Sequence, residues 1–156
     1  MKLGPIYENA LYEAGVRCYL NHAYIEAYDC LIDTPIMLDE FYRTMFSAMG
    51  CIFVIKTQKG IYDRRAEAFR CFEKAYRIVM EQQLKIIDPI NDSIAMYDMA
   101  FAYFEGIGTE KNPANGLKIL RDIDRMLSES GHSMSYVDDD YGIIEKYYTS
   151  DLKSNS

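Results

Sequence analysis

Several residue types are scarce in this chain of 156 residues, and each scarcity excludes a class of protein. The chain has no tryptophan, 4 prolines and 9 glycines, which is too few turn residues for an all-β domain with many tight turns. The longest apolar run, 50–55, ends at Lys56, whereas a membrane-spanning helix needs about 18 or more apolar residues. The first residues show no basic segment followed by an apolar one, as a secretory signal would. We therefore expect a soluble, cytoplasmic protein that makes no membrane contact.

Histidine and cysteine, the usual zinc ligands, are also scarce. No serine or cysteine with a plausible acid partner is placed near His22 or His132, so nucleophilic catalysis has no support. The cysteines contain no C-x-x-C pair, which favours buried free thiols over a zinc site. The three aspartates 138–140 lack the spacing of a calcium loop and predict a helix cap instead. We expect no enzyme activity, metal or cofactor. The cysteines are Cys18, Cys30, Cys51 and Cys71.

Charge is distributed unevenly along the chain. The net charge of −7 argues against non-specific binding to nucleic acid or to an anionic membrane. Eight basic and four acidic residues between 56 and 85 give that segment +4, so the remainder carries −11. Two interpretations stay open: a solvated helix face with acid–base pairs, or a docking patch for an acidic partner, a nucleic acid or a phosphate ligand. The bases of the second interpretation are Arg64, Arg65, Arg70, Lys74 and Arg77.

Apolar residues recur at helical spacing along nearly the whole chain, and no strand pattern is visible. The helix after Gly60 has Asp63 as its predicted cap, and Asp88-Pro89 is predicted to close it. Asp92 or Ser93 is the predicted cap of the next helix. The predicted helices are 6–20, 23–32, 38–56, 63–87, 93–105, 113–128 and a tail helix at 137–148, followed by a disordered tail at 151–156.

Three helix pairs align on small residues, and this alignment predicts a repeat. Antiparallel helices approach closely only where small side chains face each other, and a large residue then fills the groove beside that contact. The small residues pair as Gly15 with Ala27, Gly50 with Ala68, and Ala100 with Gly116. The large residues, four places further on in each second helix, are Leu31, Phe72 and Leu120.

The third pair carries the most specific pattern, from Ala95 to Asn112. It resembles the Sel-one-like repeat, a relative of the tetratricopeptide repeat, although Ala100 replaces the usual glycine and Gly116 the usual alanine. The second pair lacks the G-x-G, and the first has the shorter spacing of an ordinary tetratricopeptide repeat. The matching residues are Ala100, Tyr103, Gly106, Gly108, Lys111, Asn112 and Leu120.

The resemblance implies an all-α, right-handed α-solenoid of about three antiparallel helix pairs. The units would be 6–34, 38–87 and 92–128 within a single domain spanning 1–150, with the tail helix as a C-terminal cap. Gly106 would end a helix in the left-handed conformation, rather than begin a phosphate-binding loop. A stack this short exposes both ends, so a cap or self-association is expected.

The resemblance also implies a function, because the first helices of such pairs line a concave groove that binds a partner's peptide or helix. We therefore expect a non-catalytic protein-interaction module: an adaptor, a chaperone-like protein, or an inhibitor or immunity protein. For Phe101 the competing interpretation, a core residue, is favoured. The predicted groove residues are Asn9, Tyr12, Tyr19, Thr44, Ser47, Tyr97, Phe101 and Phe104.

Overall fold

The computed structural model describes residues 5–81 and 88–149, and the side chains from Asn9 onward. These residues contain helices and turns but no strand, which confirms the all-α prediction for them. Within 5–81 and 88–149, six α-helices are followed by a 3₁₀ turn at Met134–Tyr136 and one π-helical turn at Ile144–Tyr148. The α-helices are α1 (Pro5–Leu20), α2 (Tyr24–Leu31), α3 (Glu40–Gln58), α4 (Arg65–Glu81), α5 (Pro89–Glu105) and α6 (Pro113–Glu129).

Consecutive helices pack in pairs, α1 with α2, α3 with α4, and α5 with α6. A Cβ atom added at Gly15 would overlap the Leu31 side chain, and one at Gly50 would overlap the Phe72 ring. In the third pair the roles are exchanged, because Gly116 of the second helix receives a ring from the first helix, that of Phe104. Residues equally distant from each turn therefore meet, as antiparallel helices require.

The helix ends follow local capping rules, with one correction. Asp88 and Pro89, which were predicted to close α4, begin α5, where Asp88 accepts a hydrogen bond from the Asn91 amide at 3.1 Å. Proline suits a first helical turn because its missing N–H has no partner there in any case. The predicted caps Asp92 and Ser93 instead lie buried inside that turn. The predicted end of α4, residue 87, lies outside the described residues.

The tail helix is shorter than the predicted 137–148, because its helical turn begins only at Ile143. The Asp139 carboxylate accepts hydrogen bonds from the amides of Ile144 and Glu145, each at 3.0 Å. These bonds satisfy the free N–H groups of the turn from outside it, so the preceding residues stay non-helical. The predicted disordered tail, 151–156, lies outside the described residues.

Buried cations join each helix pair to the next. The Lys74 ammonium of α4 donates to the carbonyl oxygens of Leu31, Ile32 and Thr34 at 2.9, 2.9 and 2.5 Å, at the end of α2. Arg43 of α3 forms a salt bridge with Asp92 of α5, and both side chains are at most 6% exposed. The first joint connects the first and second pairs, and the second joint connects the second and third.

We expect the Lys74→Met substitution to destabilise the fold strongly. It keeps most of the apolar stem but leaves three buried carbonyl groups without their shared donor, at a cost on the order of 3 kcal/mol. Urea unfolding followed by circular dichroism measures this free energy. The matched control is Lys118→Met, at an exposed position of α6, and equal unfolding midpoints for the two variants would contradict the assignment.

Candidate functional site

The first helices of the three pairs form one surface, along which α3 and α5 run side by side in the same direction. Near their first turns Arg43 of α3 meets Asp92 of α5, and about two turns further on Cys51 meets Asp98. Tyr12 of α1 packs edge-on against the Tyr42 ring of α3, with ring centres 5.4 Å apart. This first-helix surface is where the sequence places its predicted groove residues.

Part of the first-helix surface is open, and we call this part the open groove. One depression of about 470 Å³ lies between α1 and α3, and another of about 380 Å³ lies between α3 and α5. The exposed apolar side chains in the open groove are Met37 (40% exposed), Phe41 (43%) and Ile94 (50%). Its defining residues are Asn9, Tyr12, Val16, Met37, Phe41, Tyr42, Thr44, Ser47 and Ile94.

Five of the predicted groove residues lie in or beside the open groove. Asn9 and Tyr12 line the first depression, although Tyr12 is only 9% exposed. Thr44 and Ser47 line the second depression, and Ser47 is buried. Tyr19 contacts the Phe41 ring edge-on, with ring centres 6.4 Å apart, and so supports the groove from the side.

The other three predicted groove residues, Tyr97, Phe101 and Phe104, do not face an open surface. They are at most 4% exposed, because residues 139–149, which we call the covering segment, lie on them. The Tyr141 ring stacks on the Phe101 ring at 3.7 Å, and the Tyr147 ring stacks on Phe104 at 4.1 Å. The expectation of an open aromatic groove is therefore wrong at these positions, and the core interpretation of Phe101 holds.

Hydrogen bonds fix the covering segment in place. The Tyr97 hydroxyl donates to the Asp139 carboxylate at 2.7 Å and accepts from the Tyr141 amide at 2.9 Å. Burial, and then the bond to Asp139, raise the pKa of Tyr97. Burial alone would raise the pKa of Asp139, but the hydrogen bonds from Ile144 and Tyr97 lower it. Asp139 is therefore an ionised acceptor on which the segment is organised.

A thiol and a carboxyl group lie beneath Tyr141. The Tyr141 hydroxyl is 3.6 Å from the Cys51 sulfur, which is 3.9 Å from an Asp98 oxygen. Burial and the neighbouring Asp98 raise the pKa of Cys51 to about 12, so the thiol stays protonated at neutral pH. Burial and the nearby Asp140 raise the pKa of Asp98 to about 7. Cys51 is thus a poor nucleophile, since only the thiolate reacts well.

The predicted basic patch is not assembled as a set of free cations. Each of its arginines has an acidic partner within 3.6 Å, and Lys74 is buried at the joint between the first two pairs. This arrangement agrees with acid–base pairs on a helix face and does not favour a phosphate-binding surface. The pairs are Arg64–Glu67, Arg65–Asp63, Arg70–Asp33 and Arg77–Glu81.

The remaining candidate motifs do not form a metal or phosphate site in the part of the chain that the structure describes. No group of three or more histidine, cysteine or acidic side chains there could hold a metal ion. Gly106 and Gly108 both have φ of 68°, as expected for a turn that ends α5. A Cβ at Gly108 would overlap the Arg65 carbonyl, so this turn is packed against α4.

No helix among the described residues combines the length and the apolar composition that crossing a bilayer requires.

We expect Asp98 to make the stability of this protein depend on pH. Its pKa is about 7 in the folded chain against an ordinary 3.8, so the free energy of unfolding falls as pH rises from about 4 to about 7 and is level above. The Asp98→Asn variant should lack this fall in the free energy of unfolding. Its stability relative to the original chain should therefore be greater at pH 8 than at pH 4, by on the order of 3 kcal/mol. Urea unfolding across this range measures the difference from the original chain. The control is Asp29→Asn, at an exposed position. If the free energies of unfolding of the two variants depend on pH in the same way, the assignment to Asp98 is contradicted.

A scan against protein-family models, a search of curated proteins and a search of solved structures each found no match. Function must therefore be inferred from the geometry and chemistry of the chain itself.

Proposed function

We propose that this chain is a non-catalytic protein-interaction module that binds a helix or peptide of a partner protein in the open groove. The three helix pairs would form a right-handed solenoid of the tetratricopeptide or Sel-one-like kind, so that the first helices face the partner. The observation that carries this proposal is the group of exposed apolar side chains, Met37, Phe41 and Ile94, along neighbouring depressions. Such exposed apolar groups mark interaction surfaces when they are clustered.

The chemistry of the open groove suits an amphipathic partner helix. Its two depressions meet at the Phe41 and Tyr42 rings, whose centres are 5.7 Å apart, and apolar anchors of a helix fill such depressions. Glu13, Arg17 and Glu40 lie at the edges with charges of both signs. An apolar centre with a charged rim is the usual composition of a protein interface.

The surroundings of the reactive groups support a binding role over catalysis. Cys51 is held as a protonated thiol by its environment. His22 lies in the turn between α1 and α2 and shares a hydrogen bond with the Tyr24 hydroxyl at 2.7 Å, whereas His132 packs against Tyr136. The adaptor, chaperone-like and inhibitor or immunity roles all use a groove of this kind, and the proposal includes each of them.

We expect Phe41→Glu and Ile94→Glu to weaken partner binding at least about tenfold, because each places a charge in the apolar centre of the interface. Affinity capture from native lysate identifies the partner, and titration calorimetry with the purified partner measures the loss. The matched control is Ile61→Glu, which changes an exposed isoleucine (61%) in the turn after α3. Equal affinities for all three variants, with native circular dichroism, would exclude the open groove as the site.

A further inference from the structure

The covering segment lies on the same surface as the open groove and continues it. Along α3, Ser47 lines the open groove, and Cys51, one turn later, touches Tyr141. Along α5, Ile94 lines the open groove, and Phe101, two turns later, lies under the Tyr141 ring. One continuous face of two helices is therefore open at one end and occupied by the chain's own C-terminal residues at the other.

Side chains make most of the contacts that attach the covering segment to the helices, and Ile143 is buried with only 1% of its surface exposed. The segment's backbone adds one hydrogen bond, from the Tyr141 amide to the Tyr97 hydroxyl. Tyr141 and Tyr147 supply the ring contacts, and Tyr148 donates to Asp124 of α6 at 2.5 Å. Gly142, between the two rings, has no atom within 4 Å of where a Cβ would lie. Ser130 and Gly131, which follow α6 directly, are exposed turn residues, so the segment can leave the surface without breaking a helix of the three pairs.

We propose that residues 139–149 are a displaceable internal ligand, and that the partner segment replacing them presents a phenol ring to the slot formed by Cys51, Tyr97 and Phe101. This inference rests on the proposed function where it names the partner's chemistry. The slot fits a phenol because an aromatic face stacks on Phe101 within 8° of parallel while the hydroxyl reaches the Cys51 sulfur. A phenylalanine ring would keep the stacking and lose the hydroxyl contact.

The spacing of the attachment points describes the partner segment further. Tyr141 and Tyr147 are six residues apart, and they rest on Phe101 and Phe104, which are one turn apart on α5. The carboxylate of Asp139 accepts a hydrogen bond from the Tyr97 hydroxyl. A partner segment with an acidic residue two places before a tyrosine, and a second aromatic residue after it, reproduces all three contacts.

Electrostatic repulsion favours displacement as pH rises. Three titratable groups face the Asp98 carboxyl of α5: the Cys51 thiol of α3, and Asp140 and Tyr141 of the covering segment. The Ser47 hydroxyl of α3 lies beside it as well. When Asp98 ionises, its charge repels that of Asp140. Displacement removes Asp140 and exposes the Asp98 carboxyl to water, so its pKa falls from about 7 toward its ordinary value. The segment is therefore held most firmly near pH 4 and less firmly as pH rises toward 7, above which its hold is level.

A synthetic peptide of residues 137–149 tests the proposal in trans, with the full chain as receptor. A tethered segment competes at an effective concentration on the order of millimolar, so the original chain should bind the peptide at least about tenfold more weakly than the Tyr141→Ala/Tyr147→Ala variant. The control variant is Tyr136→Ala, which changes an exposed tyrosine (56%) just before the segment and should behave like the original chain. A peptide with Tyr141→Phe should bind several-fold more weakly, and one with Tyr141→Ala should not bind.

Failure of the double variant to bind the peptide, with helical circular dichroism retained, would overturn the proposal, as would equal binding of the Tyr141→Ala peptide. Should the double variant not fold, hydrogen exchange of the original chain decides. The amides of Tyr141, Ile144 and Glu145 donate to Tyr97 and Asp139. If these amides exchange at least tenfold faster than global unfolding allows, the segment is displaceable. If they exchange only through global unfolding, the proposal is refuted.

The outcome is separable from that of the proposed function. Phe41→Glu changes the open groove, at the opposite end of α3 from the turn at Gly60 and outside the phenol slot. When Phe41→Glu is introduced into the Tyr141→Ala/Tyr147→Ala variant, the affinity of that variant for the peptide should change by no more than about twofold. If the peptide binds but Phe41→Glu does not weaken partner binding, the internal ligand is supported and the open groove is excluded as the partner site. If the peptide does not bind but Phe41→Glu weakens partner binding, only the internal ligand is excluded.

Discussion

The need of a buried cation for acceptors determines how the helix pairs sit on one another. Lys74 lies inside the structure, where an unpaired ammonium is costly, and the end of α2 has carbonyl groups that no helical N–H can satisfy. Placing the ammonium against Leu31, Ile32 and Thr34 meets both needs at once. Together with the hydrogen bonds from Arg70 to Tyr28 and Asp33, this contact holds the first pair against the second.

The second joint does the same for the surface on which function is proposed. Because Arg43 must meet Asp92, the first turns of α3 and α5 are held level with each other. That register brings Phe41 and Ile94 to the same depression and, two turns further along, brings Cys51 beside Asp98. If α3 were shifted by one turn along α5, Phe41 would no longer lie beside Ile94, nor Cys51 beside Asp98. The register of the proposed interaction surface thus depends on a buried charge pair, Arg43 with Asp92. In the proposed function, the apolar residues of the open groove contribute affinity more than position.

Sequence patterns predict the local parts of this fold and fail where contacts are long-range. Helical spacing and the small residues Gly15 and Gly50 predicted which helices pair, because these signals lie within a few turns of one another. The prediction that Asp88-Pro89 closes α4 missed that these residues begin α5, because a proline ends one helix or begins another with equal ease. The burial of Phe101 under Tyr141 depends on residues forty positions apart, and no periodicity encodes that contact. The sequence signal that could have indicated a covering segment was the group of three tyrosines at 141, 147 and 148, because a solvent-exposed polar tail rarely contains three.

Tyrosine is also the residue type that a removable contact requires. A phenylalanine at 141 would bury nearly as much apolar surface, but it would expose all of that surface to water on leaving. A phenol regains hydrogen bonds to water when it leaves, so the open state costs less free energy, and its hydroxyl still gives the closed state a directed contact with Cys51. The same reasoning applies to Tyr147, whose hydroxyl lies 3.3 Å from a Glu105 oxygen, and to Tyr148 at Asp124. Three phenols, each with one apolar face and one polar contact, therefore hold the segment on the helices in the way that the proposed displacement requires.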